Sequence, residues 1–586
     1  MSPVQPFDLQ ARIELAIHAL TALRDGTRQG QMYFLADWRA RPPRADHGLW
    51  DCGDGSGRAT DALSLARRIV PLGSPAAARA QAELELEAWM LRLLGAEGLS
   101  WLPEEPWASP WGRELLLAPP DEPLGGRYAE ISWAQRGTLM GLISRFLTTG
   151  EEGYLAPARR LVDGLLHIAV RHTDGLFFPE GYYRPGGWHT DQTRICPGIE
   201  ETNAAVVVPA QRLYEIAGYA PALELADGLM RFALKHTQGY SPDGRLHARQ
   251  GGALQAHFHT RSAFILGTLK LGLITGRREF VAWARQSYHF AGEWGAEFGW
   301  FPEHLGQRHG EICGTVDMIE IALLLGRHVD RAYYADVERF GRNHLLESQW
   351  LGLEQLRQAT ARLPEARAAA PNDGRYSTRE GVIESQMGGF ASRPALNDAF
   401  HADATDLMQC CNASGLRALC DLWTHAVEHQ PARPEALPME AVHLHFSVET
   451  PSLRVVSYVP AQGRLDLLPR HDCRLAVRLP CGEAQALVVR GSDTGPNVQA
   501  LRAENGYIEL EAAAGKPVEV HFHLPERVAH YQVGSPGCEA RCVGTWRGET
   551  LMRVEPAGQY APLYDRRPDT PPVQPAPTAG APIPSL

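Results

Sequence analysis

Two cysteines side by side at the start of a helix suggest chemistry before they suggest packing. The run Cys410-Cys411-Asn412-Ala413-Ser414-Gly415 follows a loop after Asp406 and leads into the amphipathic stretch Leu416 to His425. Backbone amides at a helix start favour thiolate over thiol, and two neighbouring thiols there can both approach one metal ion. A free cysteine taken alone is more often a small buried hydrophobe, so the adjacency is what argues for function. A second signal is Gly310-Glu311-Ile312-Cys313-Gly314, directly before the apolar helix from Val316 to Leu325. Residues two apart do not share a helix face, but they share a target if the chain is still extended, as the flanking glycines allow. Glu311 by itself would read as a favourable charge at a helix start. Taken together, Glu311, Cys313, Cys410 and Cys411 offer three sulfurs and a carboxylate, a set that suits tetrahedral Zn²⁺, although the spacing is not that of a zinc finger.

The elements that must position these groups are helical. From about residue 7 to about 430, apolar residues recur three and four apart between Gly, Pro and Asp breaks. The expected helices are 7–24, 59–70, 75–94, 131–149, 154–172, 201–216, 221–236, 260–275, 278–291, 313–326, 331–346 and 411–427. Several come in neighbouring pairs, as an (α/α)6 barrel over residues 1–430 requires, and an open helical solenoid would give the same local signal. After Pro431, Pro434 and Pro438 the period changes to two, in Val442 to Val448, 453–459, 473–479, 485–490, 506–511 and Val518 to Leu524, which predicts an all-β sandwich over 431–565. Residues 566–586, rich in Pro and Ala, are expected to be a disordered tail.

Composition narrows the function. The 586 residues carry a net charge of −11, which with no basic cluster argues against nucleic acid as a partner. The first residues show neither a cationic segment nor an apolar core, and no long apolar span follows, so the expectation is a cytoplasmic protein without membrane contact. Ten scattered cysteines do not resemble a disulfide framework. Cys52, Cys196, Cys420, Cys473, Cys481, Cys538 and Cys542 are assigned to packing.

The pattern Glu-x-Cys followed much later by Cys-Cys, on a helical domain succeeded by strands, resembles glycoside hydrolase family 127, the β-L-arabinofuranosidases. The resemblance spans most of residues 40 to 530, with its specific motifs confined to short stretches. It implies a zinc ion held by Glu311, Cys313, Cys410 and Cys411, and Cys410 as the nucleophile that attacks the anomeric carbon of a carbohydrate substrate. A metal-bound thiol stays deprotonated and directed, and its departure toward carbon would form a glycosyl-thioether that water releases with retained configuration. A retaining reaction also needs an acid/base. The family places this Glu in a Gly-Glu-Ala-Phe stretch, for which this chain has Gly295-Ala296-Glu297-Phe298. The resemblance thus implies Glu297 as the acid/base, with the nearer Glu303 as the second candidate.

Sugar rings offer apolar faces and a rim of hydroxyls, so aromatic and polar groups in loops are candidates for contact. Trp50 and Asp51 stand in the glycine-rich stretch Trp50 to Arg58, which lacks the Lys-Ser/Thr ending of a phosphate loop. His257 and His259 precede a helix where the family has a substrate-contacting His, and His189 lies in a similar loop. Near Asn203 the family tends to have a His that this chain lacks. Two other readings compete with the zinc-cysteine hydrolase: a metal-free glycosidase or lyase using two carboxylates, and a sugar-binding protein in which zinc is only a staple.

Overall fold

The computed structural model describes residues 5–48, 53–71, 73–80, 83–102, 129–179, 183–188, 191–196, 198–247, 257–305, 307–365, 376–402, 404, 406–434, 436–490, 497–534, 539–567 and 572–575. Helices dominate up to His425 and strands after it.

Six largely buried helices pack in succession. Asp54–Ala66 lies against Trp133–Thr149, followed by Val207–Ala217, Phe258–Thr275, Ile312–His328 and Gln409–His425, and the last of these returns to Asp54–Ala66. Their sequences explain the placement. In Ile312–His328 every residue from Ile312 to Gly326 is buried, and in Gln409–His425 every residue from Gln409 to Trp423, so their polar side chains face protein rather than water. By contrast, Leu155–Ile168, Ala220–His236 and Arg278–Gly292 each bury a single apolar face. They pack against Trp133–Thr149, Val207–Ala217 and Phe258–Thr275 respectively. The polar side chains of the inner helices neutralise one another: Arg417 Nη1 lies 2.5 Å from Asp61, its Nε 2.8 Å from Glu320, and Arg212 Nη1 3.4 Å from Asp61.

Of the expected helices, 75–94 is described as Pro75–Ala80 and Glu83–Leu93, and 201–216 is divided into Ile199–Ala204 and Val207–Ala217 by a turn at 205–206. The segment 331–346 is a composite of a 3-10 turn, the helix Tyr334–Phe340 and a π turn over Gly341–Leu345. A small antiparallel sheet, absent from the sequence reading, joins Asp406–Met408, Leu35–Asp37, Arg44–Asp46 and Ser377–Thr378 in that order. Strands of two or three residues carry no readable period. This sheet delivers the cysteine pair: Asp406–Met408 runs straight into Gln409–His425, and Gln409 N donates to Phe34 O at 2.9 Å.

The strand region begins at Val427, before the Pro-rich break. A four-stranded sheet orders Val427–Gln430, Met439–Val442, Cys473–Arg478 and Tyr507–Ala512, and a six-stranded sheet runs from Val448–Glu449 to Asn497–Arg502. Residues 443–446, expected as strand, instead bend back toward the helices, with His443 N donating to Ala426 O at 2.9 Å. A three-stranded sheet of Glu526–Val533, Ala540–Arg547 and Thr550–Glu555 is tied to the helical part, where Asn343 Nδ2 donates to Glu549 O at 3.0 Å. The segment expected as a tail lies mostly outside the described residues, although Gln574 accepts from Arg454 at 2.9 Å. Among the described residues no helix is long and apolar enough to cross a membrane.

Candidate active site

Both cysteine motifs occupy the first turn of a helix. Glu311 caps Ile312–His328 in extended backbone, and its side chain makes no capping bond. Gly310 N and Ile312 N donate to Pro394 O and Ser392 O, which fixes the cap and frees the carboxylate. Cys410 and Cys411 follow the extended Met408 in Gln409–His425. These two helices pack together, and the sulfurs of Cys313, Cys410 and Cys411 all lie within 4.8 Å of one another. Cys313 Sγ and Cys411 Sγ are 3.7 Å apart. Tetrahedral zinc with Zn–S near 2.3 Å separates its sulfurs by about 3.8 Å, so the three thiols fit the ion. Glu311 stands outside that cluster: its Oε2 is 2.6 Å from His257 Nε2. The four-ligand set expected from the sequence is thus three sulfurs plus a carboxylate turned to an imidazole.

The three thiols are shifted in opposite directions. Hydrogen bonds from Cys410 and Cys411 come first in holding its thiol well below the usual range, and Arg58 adds to them. Cys410 is pushed up by its bond to Cys313, and Cys411 by burial. Arg58 Nη2 is 3.5 Å from Cys313 Sγ, and the same guanidinium bonds Ser414 and lies 3.6 Å from Asp54. It reaches this point because Asp54–Ala66 and Trp133–Thr149 come into backbone contact: a Cβ on Gly57 would stand 2.0 Å from the Gly137 carbonyl oxygen. The stretch read as a glycine-rich loop is helical from Asp54 onward.

Cys313 and Cys410 line a cavity of about 170 Å³ that also holds Glu201, His257, Glu303 and Glu311. Its carboxyl groups differ sharply. Glu303 receives Arg393 Nε at 2.9 Å and Nη2 at 2.8 Å, with His309 Nδ1 at 3.1 Å. Burial alone would raise it, but His309 and Arg393 hold it at about 2. Glu201, 9% exposed at the start of Ile199–Ala204, is pushed up to about 7 by burial, against the pull of His257 and a hydrogen bond with Trp133. Desolvation works against the cation of the part-buried His257, yet Glu311 raises it to about 9. His304 beside it is driven to about 4 by burial and by His257. Asp54 also lines the cavity, and its Oδ1 is buried with no hydrogen-bond partner among the described residues.

Of the residues expected to bind or transform substrate, His257 and His259 both face the cavity. They are held differently: His259 Nδ1 is 2.6 Å from Asp317, its ring stacks on Trp133, and Arg136 Nη1 lies 3.2 Å from its Nε2. Glu297 is not in the cavity. The turn in which Ala296 N donates to Trp300 O points its side chain to the strand region, where Arg527 and Tyr531 bind it. Trp50, Asp51 and His189 lie outside the described residues, as do Cys52 and Cys538. Cys420, Cys473 and Cys542 are buried as expected of packing residues, Cys196 is half-buried, and Cys481 is exposed. Sequence reasoning missed Arg58, Glu201 and Arg393. The available signals were the Asp54/Arg58 spacing of four on a helix and the Glu200-Glu201 pair ahead of an apolar run.

No protein-family model matches the chain, and no curated protein matches it in sequence. Solved structures do. A GH127 β-L-arabinofuranosidase from Geobacillus stearothermophilus T6 superposes with a TM-score of 0.53 at 13% identity, covering 92% of this chain and 80% of that one. A second GH127 β-arabinofuranosidase gives 0.55 at 13%, covering 92% and 79%. A further glycoside hydrolase gives 0.53 at 14%, covering 85% and 77%. The likeness to family 127 read from the cysteine motifs therefore holds in the fold of almost the whole chain.

Proposed function

We propose that the chain is a retaining glycoside hydrolase in which Cys410 attacks the anomeric carbon of a terminal sugar, an L-arabinofuranoside or a related furanoside. The observation that carries this reading is the convergence of three thiols beside a cavity furnished with carboxyl and imidazole groups. The fold shared with solved β-arabinofuranosidases supports the substrate class. On this reading the ring of inner helices with their outer partners is an (α/α)6 barrel over 1–430, the strands of 431–565 form a β-sandwich, and 566–586 is a tail.

Cys313, Cys410 and Cys411 would hold zinc, with Glu311 turning from His257 to complete the set, and the ion would keep the thiols deprotonated and aimed. The Cys410 sulfur bonds to the anomeric carbon as the glycosidic C–O bond breaks, and the departing oxygen takes the proton of Glu201. The Glu201 carboxylate then takes a proton from water, whose oxygen displaces the sulfur. Two inversions retain the configuration. Glu201 fills the role expected of Glu297 or Glu303, because Glu297 faces away and Glu303 is locked as an anion by Arg393. The buried Asp54 Oδ1 supplies an acceptor and Trp133 an apolar face for the sugar.

Arg58 favours a second reading. A guanidinium against Cys313 stabilises a thiolate without any metal, so the same sulfurs could act in a zinc-free site. Metal analysis combined with hydrolysis of a panel of nitrophenyl pentofuranosides and pentopyranosides separates the readings. The expected result is bound zinc, furanoside hydrolysis, and a loss of roughly 10⁴-fold or more in Cys410→Ser. Full activity in that variant removes the nucleophile. Zinc without hydrolysis of any sugar leaves a structural staple.

A further inference from the structure

A second cluster of ligand-type side chains lies in the strand region, away from the thiols. His429 on Val427–Gln430 faces Glu440 on the antiparallel neighbour Met439–Val442, and His471 stands two residues before the strand Cys473–Arg478 that pairs with Met439–Val442 on its other side. His429 Nδ1 is 2.6 Å and His471 Nε2 3.3 Å from the same oxygen, Glu440 Oε1. The two ring nitrogens and the carboxylate oxygen all fall within 4.8 Å of one another.

We propose that His429, Glu440 and His471 form a binding site for a divalent cation of the zinc class, independent of the thiol cluster. Three observations support it. First, the Glu440 side chain is 0% exposed, and its ion-pair partners among the described residues are these two histidines. The arginines beside it are engaged elsewhere, Arg470 with Glu449 and Arg474 with Glu509. A buried carboxylate requires a counter-charge, and a cation bound between the two imidazoles supplies it. Second, His471 Nδ1 is 3.2 Å from the Asp472 carbonyl oxygen, which can only accept, so Nδ1 carries a proton. With Nδ1 protonated, Nε2 facing the carboxylate is either a second N–H or a ligand lone pair. A backbone carbonyl on the far nitrogen is the usual support of a metal-binding histidine. Third, Ser452 Oγ donates to the other oxygen, Glu440 Oε2, at 2.7 Å and fixes the carboxylate. Both imidazoles are part-exposed, at 49% and 37%, which leaves a fourth position to water. Two nitrogens, one carboxylate oxygen and water are a common zinc set. The His471 to Glu440 separation already matches ligands about 2.0–2.1 Å from one ion. The half-exposed His429 needs only to swing outward. Such an ion would clamp the strand that emerges from the Cys410–Cys411 helix to Met439–Val442 and to the turn before Cys473–Arg478.

The test uses the intact chain, stripped with chelator and titrated with Co²⁺ and then Zn²⁺. Total bound metal is counted, while thiolate charge-transfer absorption reports the cysteines alone. The double variant His429→Ala/His471→Ala is expected to bind one equivalent less than wild type with the charge-transfer band unchanged, and to show a smaller zinc-induced rise in melting temperature. Ser452→Ala, which leaves all three ligands, is expected to weaken that equivalent about 10-fold. Equal metal counts in wild type and the double variant overturn the proposal and leave the trio as a proton-held ion pair. If no charge-transfer band forms but one histidine-dependent equivalent remains, this site stands and the zinc-thiolate reading fails.

Discussion

The two sides of the cavity treat a buried carboxyl in opposite ways. On one side Glu303 meets the fork of Arg393 and the ring of His309, and is held at about 2. On the other, Glu201 sits against Trp133, and the cation facing it, His257, is shared with Glu311; burial dominates and carries it to about 7. Both start from the same ordinary value of 4.5. The difference teaches that lining the cavity does not assign a role. The counter-charge each group finds does, and only the carboxyl left short of one has a proton to give near neutrality.

The comparison is broken most directly through Glu201→Gln. Substrates with poor leaving groups should lose 10² to 10⁴-fold in kcat/KM, the usual worth of a general acid. The proton is present below pH 7 and absent above it, so the wild-type rate should fall as pH rises through about 7, and that limb should vanish in the variant. Activated aryl leaving groups should lose far less in the bond-breaking step. An unchanged rate with an unchanged alkaline limb would move the acid to another group lining the cavity.

Stability sharpens the same contrast, with opposite signs. Glu303 is depressed when folded, so its contribution is present above the unfolded value near 4.5 and is lost as pH falls toward about 2. Glu303→Gln should therefore cost a few kcal/mol at neutral pH, with the deficit shrinking below pH 4. Glu201 is raised when folded, so the folded state weakens as pH climbs from about 4.5 to about 7. Glu201→Gln should melt higher than wild type above pH 7 and no higher at pH 4. Melting curves of both variants across this range measure the two slopes, and slopes of the same sign would refute the assignment of environments.

Arg58 offers a smaller handle. Arg58→Lys keeps the charge but loses the planar fork that spans Cys313, Ser414 and Asp54. In the metal-stripped chain, alkylation of the cluster by iodoacetamide at pH 7 should slow severalfold as thiolate becomes thiol. Equal rates would mean that the sulfurs alone hold the anion.

What the sequence disclosed follows from how local each signal is. Cys410 and Cys411 are adjacent, and Glu311 and Cys313 are two apart, so each half of the thiol site is written in a single turn of chain. The helices that carry them were legible because their apolar periods are long. The groups that give the cavity its chemistry arrive through tertiary contact. Arg58 depends on the Gly57–Gly137 approach, and Arg393 reaches Glu303 from a segment without regular structure. The four-stranded sheet that aims Gln409–His425 is built from strands too short to show a period. The sequence favoured Glu297 over Glu303 only through a reordered motif, because both lie in one irregular stretch, and the fold of that stretch sends Glu297 to the strand region and Glu303 to the cavity.

That last separation gives the smallest expected effect. Glu297 carried the family-like motif, yet its side chain is 37% exposed and paired with Arg527, itself 39% exposed, on the strand region. An exposed pair of this kind contributes at most about 1 kcal/mol, and less in salt. The Tyr531 hydroxyl bond adds a contact but no path to the cavity. Glu297→Gln should therefore leave kcat/KM within about twofold and shift the melting temperature by no more than a few degrees. Measured beside Glu201→Gln on the same substrate, it is a paired test. A loss for Glu297→Gln that matched or exceeded the loss for Glu201→Gln would mean that the 295–300 turn reorganises when sugar binds, and that the motif marks the acid after all.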